Sequence, residues 1–315
     1  MTEKRVHEKV AVIGTGVIGA SWTAYFLAQG FTVAASDPAE GAEGRLREWV
    51  DGFWPALETL GLAEGASRDN LSFSSDVAVA VADAVFIQEN GPERIDIKRA
   101  ILAGIEAAAP VDSVIATSSS GLLISDAQAG AKHPERIVLG HPFNPPHLIP
   151  LVEVLGGKQT SEENIQKALD FYTRIGKRPI RIHKEVKGHV ANRLQVALWR
   201  EAFSLVEQGV VSVTDIDTVI SQGPGLRWAL LGPFLNLHAS GGDGGITHML
   251  EHIGPASREW ARDLGEYPET DDYIGTMAAG VDAELDGYDF TETLRTRDRL
   301  LIDLIAAKKQ APQLP

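Results

Sequence analysis

Residues 9–19 read Lys-Val-Ala-Val-Ile-Gly-Thr-Gly-Val-Ile-Gly, an apolar run that leads directly into three glycines with the spacing Gly-x-Gly-x-x-Gly. The apolar run predicts a buried strand. The glycines predict a tight turn that lets a ligand approach the backbone and lets the following helix pack closely on the strand. Because the N-terminus of a helix favours negative charge, this turn is typical of a site that binds phosphate groups.

Asp37 follows the next apolar run, Thr32–Ser36, and lies 18 residues after Gly19. In a strand–turn–helix context, an acidic residue at this distance accepts hydrogen bonds from the ribose of a dinucleotide and repels a 2′-phosphate. The alternative interpretations are a glycine turn without a ligand and an aspartate in a solvated turn. We predict NAD rather than NADP as the cofactor, bound by Gly14, Gly16, Val17, Ile18, Gly19 and Asp37.

Short apolar runs alternate with amphipathic segments through the first half of the chain, which implies a parallel sheet covered on both faces. The runs that we interpret as buried strands are Val10–Ile13, Thr32–Ser36, Ala84–Ile87, Ser113–Ala116, Ile137–Leu139 and Leu151–Leu155. After a last extended segment, Arg178–His183, helical patterns take over at Val190–Gln208, Val213–Gln222, Asp243–Leu264 and Asp289–Ala307. We predict an α/β fold with an N-terminal Rossmann-type doubly wound sheet (residues 1–186) and a C-terminal all-helical domain (residues 187–315).

The composition limits the class of protein. The 315 residues include 29 basic and 43 acidic side chains, which gives a formal net charge of −14. This balance argues against nucleic acid or an anionic membrane as the partner, because both require a basic surface. The absence of cysteine excludes disulfides and thiol catalysis. The polar N-terminus and the lack of long apolar runs predict a cytoplasmic protein without a signal peptide or a membrane span.

A histidine and a glutamate offer acid–base chemistry. His141 follows a predicted strand, and Glu153 interrupts the apolar run Leu151–Leu155. A carboxylate in such a run must be paired or hydrogen-bonded, and an imidazole is a suitable partner. A histidine held by a carboxylate acts as a general base on an alcohol. On spacing alone, a loop histidine and an edge-strand glutamate are an equally good interpretation.

Three features resemble the 3-hydroxyacyl-CoA dehydrogenase family over nearly the whole chain. They are Gly-His-Pro-Phe-Asn-Pro-Pro at 140–146, Glu153 twelve residues after His141, and Gly-x3-Asn-Arg at 188–193. The resemblance implies that His141 and Glu153 form the catalytic dyad and that Ser120 and Asn192 orient the substrate. It also implies contacts to NAD from Glu93, Lys98, Ser120 and Asn144. At 118–121 the chain reads Ser-Ser-Ser-Gly, where the family pattern has Asn-Thr-Ser-Ser.

Within that family the chain is similar to the CoA-independent branch, because the residues that hold the phosphates of CoA are scarce. No lysine occurs between Lys9 and Lys98, and residues 38–70 contain seven acids against three arginines. The segments 140–150, 191–195, 223–230 and 240–245 resemble the carnitine dehydrogenases of this branch. The resemblance implies oxidation of the 3-hydroxyl of L-carnitine by a homodimer. The alternatives are L-gulonate or another 3-hydroxy acid as substrate, as in lambda-crystallin-type enzymes, and a non-catalytic NAD-binding structural protein.

Carnitine carries a quaternary ammonium and a carboxylate, and each needs a partner. Aromatic faces bind quaternary ammonium groups, and arginine binds carboxylates through two parallel hydrogen bonds. The residues that we predict to bind the substrate are Phe143, Trp199, Arg227 and Trp228. The alternative is that Arg227 and Trp228 only pack the second domain. His248 and His252 have helical spacing but no third ligand, so we predict no metal site.

Overall fold

The structure, a computed structural model, describes residues 8–314. The chain divides into two compact units, one that ends at Asn192 and one that begins at Arg193. The strands of the first unit are β1 Lys9–Ile13, β2 Thr32–Ser36, β3 Leu71–Ser74, β4 Phe86–Glu89, β5 Val114–Thr117, β6 Ile137–Pro142, β7 Leu151–Gly156 and β8 Arg178–Arg181. Its helices are α1 Val17–Ala28, α2 Ala42–Leu60, α3 Val77–Val81, α4 Ile95–Ala108, α5 Ile124–Ala127 and α6 Glu162–Arg174.

The eight strands form one sheet in the order β3-β2-β1-β4-β5-β6-β7-β8. Residues of β1 alternate between two apolar clusters, with Val10 and Val12 in one and Ala11 and Ile13 in the other. The sheet is therefore covered on both faces, as the run of apolar residues predicts for a parallel sheet. The predicted Rossmann-type α/β fold is confirmed, and the start of α1 at Val17 agrees with the glycine pattern.

One strand pair departs from the predicted parallel sheet. β6 and β7 pair antiparallel, whereas every other neighbouring pair of strands is parallel. The physical reason is the short connection between β6 and β7, residues 143–150, which has no room for a crossover helix. The antiparallel register places His141 directly opposite Glu153.

The second unit is helical. Its elements are α7 Ala191–Glu207, which begins in the first unit, followed by α8 Val213–Gln222, α9 Pro224–Trp228, α10 Pro233–Ser240, α11 Gly245–His252, α12 Gly254–Asp263, α13 Asp272–Glu284 and α14 Phe290–Lys309. The helical pattern predicted over Asp243–Leu264 forms a 3₁₀ turn and two helices. Gly254 and Pro255 begin the second of these helices, because proline has no amide hydrogen to continue a helix from the preceding turn.

The helical unit differs from the sheet unit in its burial. Between residues 193 and 314, no hydrophobic side chain is buried in the single chain. Many large apolar side chains there are well exposed, among them Phe234, Trp260, Tyr288, Leu194 and Leu226. Within residues 8–314, none of the helices combines the length and the apolar character that crossing a membrane requires.

Candidate active site

The carboxyl ends of four neighbouring strands meet at one edge of the sheet. β1, β4, β5 and β6 end at Ile13, Glu89, Thr117 and Pro142, and the first three of these residues lie side by side in the parallel register. The amide of Asn90 donates to Ile13 O, and the amide of Ser118 donates to Glu89 O, so the loops that follow the strands are also joined. In open α/β sheets this edge is where ligands bind.

The glycine turn after β1 is built as the sequence predicts. Gly14 has φ +84°, and a Cβ there would lie 2.8 Å from the Asn90 carbonyl carbon. A Cβ at Gly19 would lie 1.9 Å from Gly14 O, so only glycine allows this close packing. At Gly16, by contrast, a Cβ would meet nothing within 4 Å, and no side chain caps the start of α1 there. The backbone at Gly16 is therefore open to a phosphate group.

Asp37 connects the end of β2 with this turn. Its Oδ2 accepts hydrogen bonds from the backbone amide of Thr15 at 2.8 Å and from Thr15 Oγ1 at 3.2 Å. Its Oδ1 accepts from the amide of Ala39 at 2.9 Å. The carboxylate is thus fixed beside the glycine turn, and Oδ1, which accepts one hydrogen bond, keeps capacity to accept another, such as one from a ribose hydroxyl.

His141 and Glu153 face each other across β6 and β7, and both are buried. Nδ1 of His141 donates to Oε2 of Glu153 over 2.8 Å. Oε1 of Glu153 accepts from the amides of Val190 and Ala191, each at 2.9 Å. Burial raises the pKa of Glu153, but the hydrogen bonds from His141, Ala191 and Val190 outweigh it, so the pKa lies below its ordinary value. The glutamate is therefore charged, and the hydrogen of the neutral imidazole is on Nδ1, which leaves the lone pair of Nε2 as a base.

The turn after β5 carries the predicted Ser120. Ser120 is exposed, and its carbonyl accepts a hydrogen bond from Asn192 Nδ2 at 3.2 Å. Oε1 of Glu93 holds the same turn through Ser119 Oγ at 2.6 Å and through the amides of Gly121 and Leu122. Burial raises the pKa of Glu93, but these three hydrogen bonds and the charge of Lys98 outweigh it, so the pKa lies below its ordinary value and the carboxylate is charged. Ser120, Asn192 and Glu93 therefore meet at one turn.

Lys98 lies beneath the site. It is fully buried, and its Nζ contacts both carboxylate oxygens of Glu89 at 3.1 and 3.0 Å and Gly91 O at 3.0 Å. Glu89 also accepts from Thr117 Oγ1 at 2.5 Å. This buried ion pair fixes the loop after β4, beside the glycine turn. Sequence reasoning missed Glu89, although an acid at the end of an apolar strand is the same signal that marked Glu153.

The loop after β6 carries Phe143 and Asn144. The ring of Phe143 is half-buried and lies 6.5 Å from the ring of His141 in an edge-on arrangement. Asn144 is exposed. Phe143 therefore presents an apolar ring next to the base.

A buried polar network fixes the strand that carries His141. Tyr172 Oη donates to Gln88 Oε1 at 2.6 Å, and Gln88 Nε2 donates to Ser118 Oγ and to Gly140 O. Burial raises the pKa of Tyr172, so its hydroxyl remains a donor. A Cβ at Gly140 would lie 2.0 Å from Tyr172 Oη, which explains the glycine before His141.

The remaining predicted residues belong to the helical unit. Trp199 lies on α7, and Arg227 and Trp228 lie on α9. The two tryptophans are 43% and 45% exposed, and Arg227 is also exposed, so all three side chains are accessible in the single chain. They are not part of a core within their own unit.

Two models of one protein family match most of the chain. The family model described as 3-hydroxyacyl-CoA dehydrogenase, NAD binding domain, matches residues 9–186, and the model of the C-terminal domain matches residues 188–273. The chain belongs to the 3-hydroxyacyl-CoA dehydrogenase family. It is an NAD-dependent oxidoreductase, and the predicted cofactor is confirmed.

Several members of the family are similar to the chain over nearly their whole length. An L-carnitine dehydrogenase of Streptomyces griseus is 48% identical over 97% of the chain and 91% of that protein. One of Bacillus cereus is 49% identical over 95% of the chain and 91% of that protein. Among solved structures, the 5-formyl-3-hydroxy-2-methylpyridine 4-carboxylic acid 5-dehydrogenase, an NAD-dependent dismutase, is 29% identical with a TM-score of 0.82, and the match covers 98% of the chain and 99% of that structure.

Proposed function

We propose that the chain oxidises the 3-hydroxyl of L-carnitine to the ketone, 3-dehydrocarnitine, with NAD as the hydride acceptor. The observation that carries the proposal is the buried pair formed by His141 and Glu153 at the ligand-binding edge of the sheet. The choice of carnitine is supported by relatives with the name L-carnitine dehydrogenase that are 43–49% identical over nearly the whole chain.

His141 is the general base of this reaction. As the hydride leaves C3 of the substrate, the hydroxyl proton passes to Nε2 of His141, and the electron pair of the O–H bond forms the carbonyl. The imidazolium that results donates from Nδ1 to the charged carboxylate of Glu153. The carboxylate stabilises the imidazolium and fixes the tautomer, which are the two tasks of the acid in a histidine–carboxylate pair. Ser120 and Asn192, which share one hydrogen bond, orient the substrate hydroxyl.

The residues of the first unit fit a bound dinucleotide. The uncapped start of α1 at Gly16, Val17 and Ile18 accepts the pyrophosphate, and Asp37 accepts hydrogen bonds from the ribose. NAD supplies the hydride acceptor when it is bound. Glu93 and Asn144 border the same edge, whereas Lys98 acts through Glu89, because its buried ammonium contacts Glu89 and Gly91. We therefore assign Lys98 an indirect role in binding NAD.

The charges of carnitine determine the rest of the site. Phe143, beside His141, offers an aromatic face to the trimethylammonium group, which binds aromatic rings but donates no N–H hydrogen bond. Trp199 and Trp228 are the further aromatic candidates, and Arg227 is the candidate for the carboxylate. The helical domain, residues 187–315, therefore contributes to substrate binding in this proposal.

We also propose that the functional unit is a homodimer formed by the helical domains. A helical domain of this size buries apolar side chains in a core when it is stable alone, yet none is buried between residues 193 and 314 of the single chain. Exposed apolar surface of this extent is typical of a protein interface. A second copy of the chain is the partner that offers the same apolar helices, as an isologous dimer requires.

A substrate panel tests the proposed reaction. Purified protein is incubated with NAD and with L-carnitine, D-carnitine, L-gulonate, 3-hydroxybutyrate or no substrate, and NADH absorbance is followed. We expect the highest kcat/KM with L-carnitine. A higher value with L-gulonate or 3-hydroxybutyrate would replace carnitine with that substrate, and NAD binding without turnover on any compound would favour the non-catalytic alternative.

A further inference from the structure

His189 lies between His141 and the turn that carries Ser120. Its side chain is fully buried, and its ring centroid lies 5.3 Å from that of His141. Nε2 of His189 lies 3.1 Å from the carbonyl oxygen of Ser119, in the turn that carries Ser120. Because a carbonyl only accepts, the hydrogen of the neutral ring is on Nε2 and the lone pair is on Nδ1.

The backbone of His189 is as unusual as its side chain. Among residues 8–314 it is the one non-glycine residue with a positive φ, +51°, and it follows Gly188 at +73°. Successive backbone amides in such a turn form a concave site for an anion. Here the anion is the carboxylate of Glu153, which accepts from the amides of Val190 and Ala191. A left-handed conformation in a residue with a Cβ persists where the surrounding structure enforces it.

The surroundings keep the ring of His189 neutral. Within residues 8–314, no group forms a hydrogen bond with the buried Nδ1 of His189. A second proton on the ring would therefore leave an N–H group without an acceptor. The titratable groups that act on the ring are His141, Glu153 and Glu93. Burial and the charge of His141 lower the pKa of His189, and they outweigh the hydrogen bond to Ser119 and the two carboxylates, which raise it. A neutral ring adds no positive charge beside His141 when His141 takes up the proton.

We propose that His189 is a positioning residue for the dyad: its ring fixes the Ser119–Ser120 turn, and its left-handed backbone presents two amides to Glu153. One residue thereby fixes the substrate-orienting turn and the carboxylate relative to each other. The kinetic part of the test rests on the proposed function, whereas the spectroscopic part needs no substrate.

Two variants of His189 and one control test the part that the ring plays. His189→Phe keeps an aromatic ring but removes the donor to Ser119, and His189→Gln keeps a donor at a similar reach. His183→Phe is the matched control, because His183 is exposed on the same connecting segment. We expect His189→Phe to lower kcat about 10-fold to 100-fold through misplacement of the reacting groups. We expect kcat of His189→Gln to be close to that of the wild type, because the donor is retained. We expect kcat of the control, and KM for NAD in all three variants, to stay near the wild-type values.

Proton NMR of the free enzyme provides the second measurement. The Nδ1 hydrogen shared by His141 and Glu153 is expected to give a downfield resonance in the wild type that changes its chemical shift or broadens in His189→Phe and stays unchanged in His183→Phe. If that resonance, kcat and the pH profile of His189→Phe all match the wild type, the positioning role is overturned. If the resonances behave as expected but the wild type does not oxidise carnitine, the proposed function fails and the positioning role stands.

A measurement on the wild type covers the case in which the Phe variant does not fold. Nitrogen-15 chemical shifts of the imidazoles report which ring nitrogen carries hydrogen. We expect one neutral Nε2–H ring, assigned to His189 through its loss in His189→Gln, over the whole pH range of activity. A charged ring or an Nδ1–H tautomer at His189 would contradict the proposal.

Discussion

Glu153 lies directly opposite His141 in the antiparallel register of β6 and β7, and its carboxylate accepts the Nδ1 hydrogen of the imidazole at 2.8 Å. The other oxygen of the same carboxylate accepts two amides at the start of α7. Glu153 therefore joins the strand that carries the base to the helix that carries Asn192.

Replacement of His141 by Asn should remove most of the turnover. The loss of a general base lowers the rate by roughly 10²–10⁴-fold. NAD binding, measured by fluorescence titration, should stay unchanged, because the glycine turn and Asp37 lie on other strands. His133→Asn is the control, since His133 is exposed. Near-normal turnover in His141→Asn would show that another group takes the proton.

Glu153→Gln should slow the reaction for a different reason. The glutamine oxygen can still accept the amides of Val190 and Ala191, so its NH₂ group faces Nδ1 of His141. The imidazole then has to carry its hydrogen on Nε2, where it cannot accept the substrate proton. We expect a decrease in kcat of about 10²-fold or more, with KM for NAD unchanged. A variant with wild-type kcat and pH profile would show that Glu153 is only structural.

The lowered pKa of Glu153 predicts how the free energy of unfolding depends on pH. The pKa of Glu153 in the folded chain lies below its ordinary value of 4.5. The charged carboxylate therefore contributes stability at neutral pH, and this contribution decreases as the pH falls below about 4.5 towards the folded-state pKa. Urea unfolding of the wild type and Glu153→Gln at neutral pH and in acid should show a stability difference that shrinks in acid. A difference that is constant over this range would contradict the prediction.

Cofactor choice depends on Asp37. Its charge should repel a 2′-phosphate, so the wild type should show a much higher kcat/KM with NAD than with NADP. Asp37→Asn should lower the ratio of kcat/KM with NAD to kcat/KM with NADP, because the repulsion of the 2′-phosphate is lost. An oxygen remains in the asparagine to accept the hydrogen bond from Thr15. Asp76→Asn is the matched control, since Asp76 is exposed and caps α3 elsewhere on the sheet unit. A ratio that does not change in Asp37→Asn would show that Asp37 does not face the ribose.

The predicted parts of the fold are those that short-range patterns determine. The strand–turn–helix unit over residues 9–28 combines an apolar run, a glycine pattern and a helical period, and all three agree. β3 was not predicted, because the edge strand Leu71–Ser74 alternates with serines and buries little. The antiparallel pairing of β6 and β7 depends on chain reversal after Pro142, which the apolar pattern of either strand does not report.

Short-range patterns also determine which residues of the site could be predicted. His141 and Glu153 could be identified from their own sequence contexts, because a histidine at a strand end and an acid in an apolar run are both unusual. The amides that bind Glu153 lie 37 and 38 residues further along the chain, and a backbone donor has no residue type to recognise. His189 could not be predicted either, because its contacts with Ser119 and His141 exist only in the folded unit.

The exposed apolar surface of the helical unit predicts a dimer in solution. Light scattering should give about twice the chain mass of 33.9 kDa at micromolar concentration. Phe234→Glu should favour the monomer and lower the melting temperature, because Phe234 is 76% exposed in the single chain. Val111→Glu is the matched control, since Val111 is 69% exposed on the sheet unit. A wild-type mass near that of one chain would contradict the proposed homodimer.

Recognition of the two charges of carnitine can be separated by variants of α9 and of the loop after β6. Arg227→Ala should raise KM for carnitine about tenfold, which corresponds to about 1.4 kcal/mol, because the carboxylate loses its two-point donor. Trp228→Ala and Phe143→Leu should weaken carnitine more than 3-hydroxybutyrate, which has the carboxylate and the hydroxyl but no ammonium group. Cation–π contacts of about 0.5–2 kcal/mol set the size of this difference.

A loss of packing would weaken the binding of both substrates equally, whereas the loss of a cation–π contact would weaken only the binding of carnitine. KM for NAD should stay constant in all three variants, which separates substrate recognition from unfolding. If Trp228→Ala weakens both substrates equally while Phe143→Leu discriminates between them, the trimethylammonium group binds beside His141 and Trp228 only packs the helical unit. If neither variant discriminates, Trp199 becomes the aromatic residue to test. If Arg227→Ala leaves KM for both acids unchanged, another group binds the carboxylate, and Arg193, which immediately follows Asn192, becomes the next candidate.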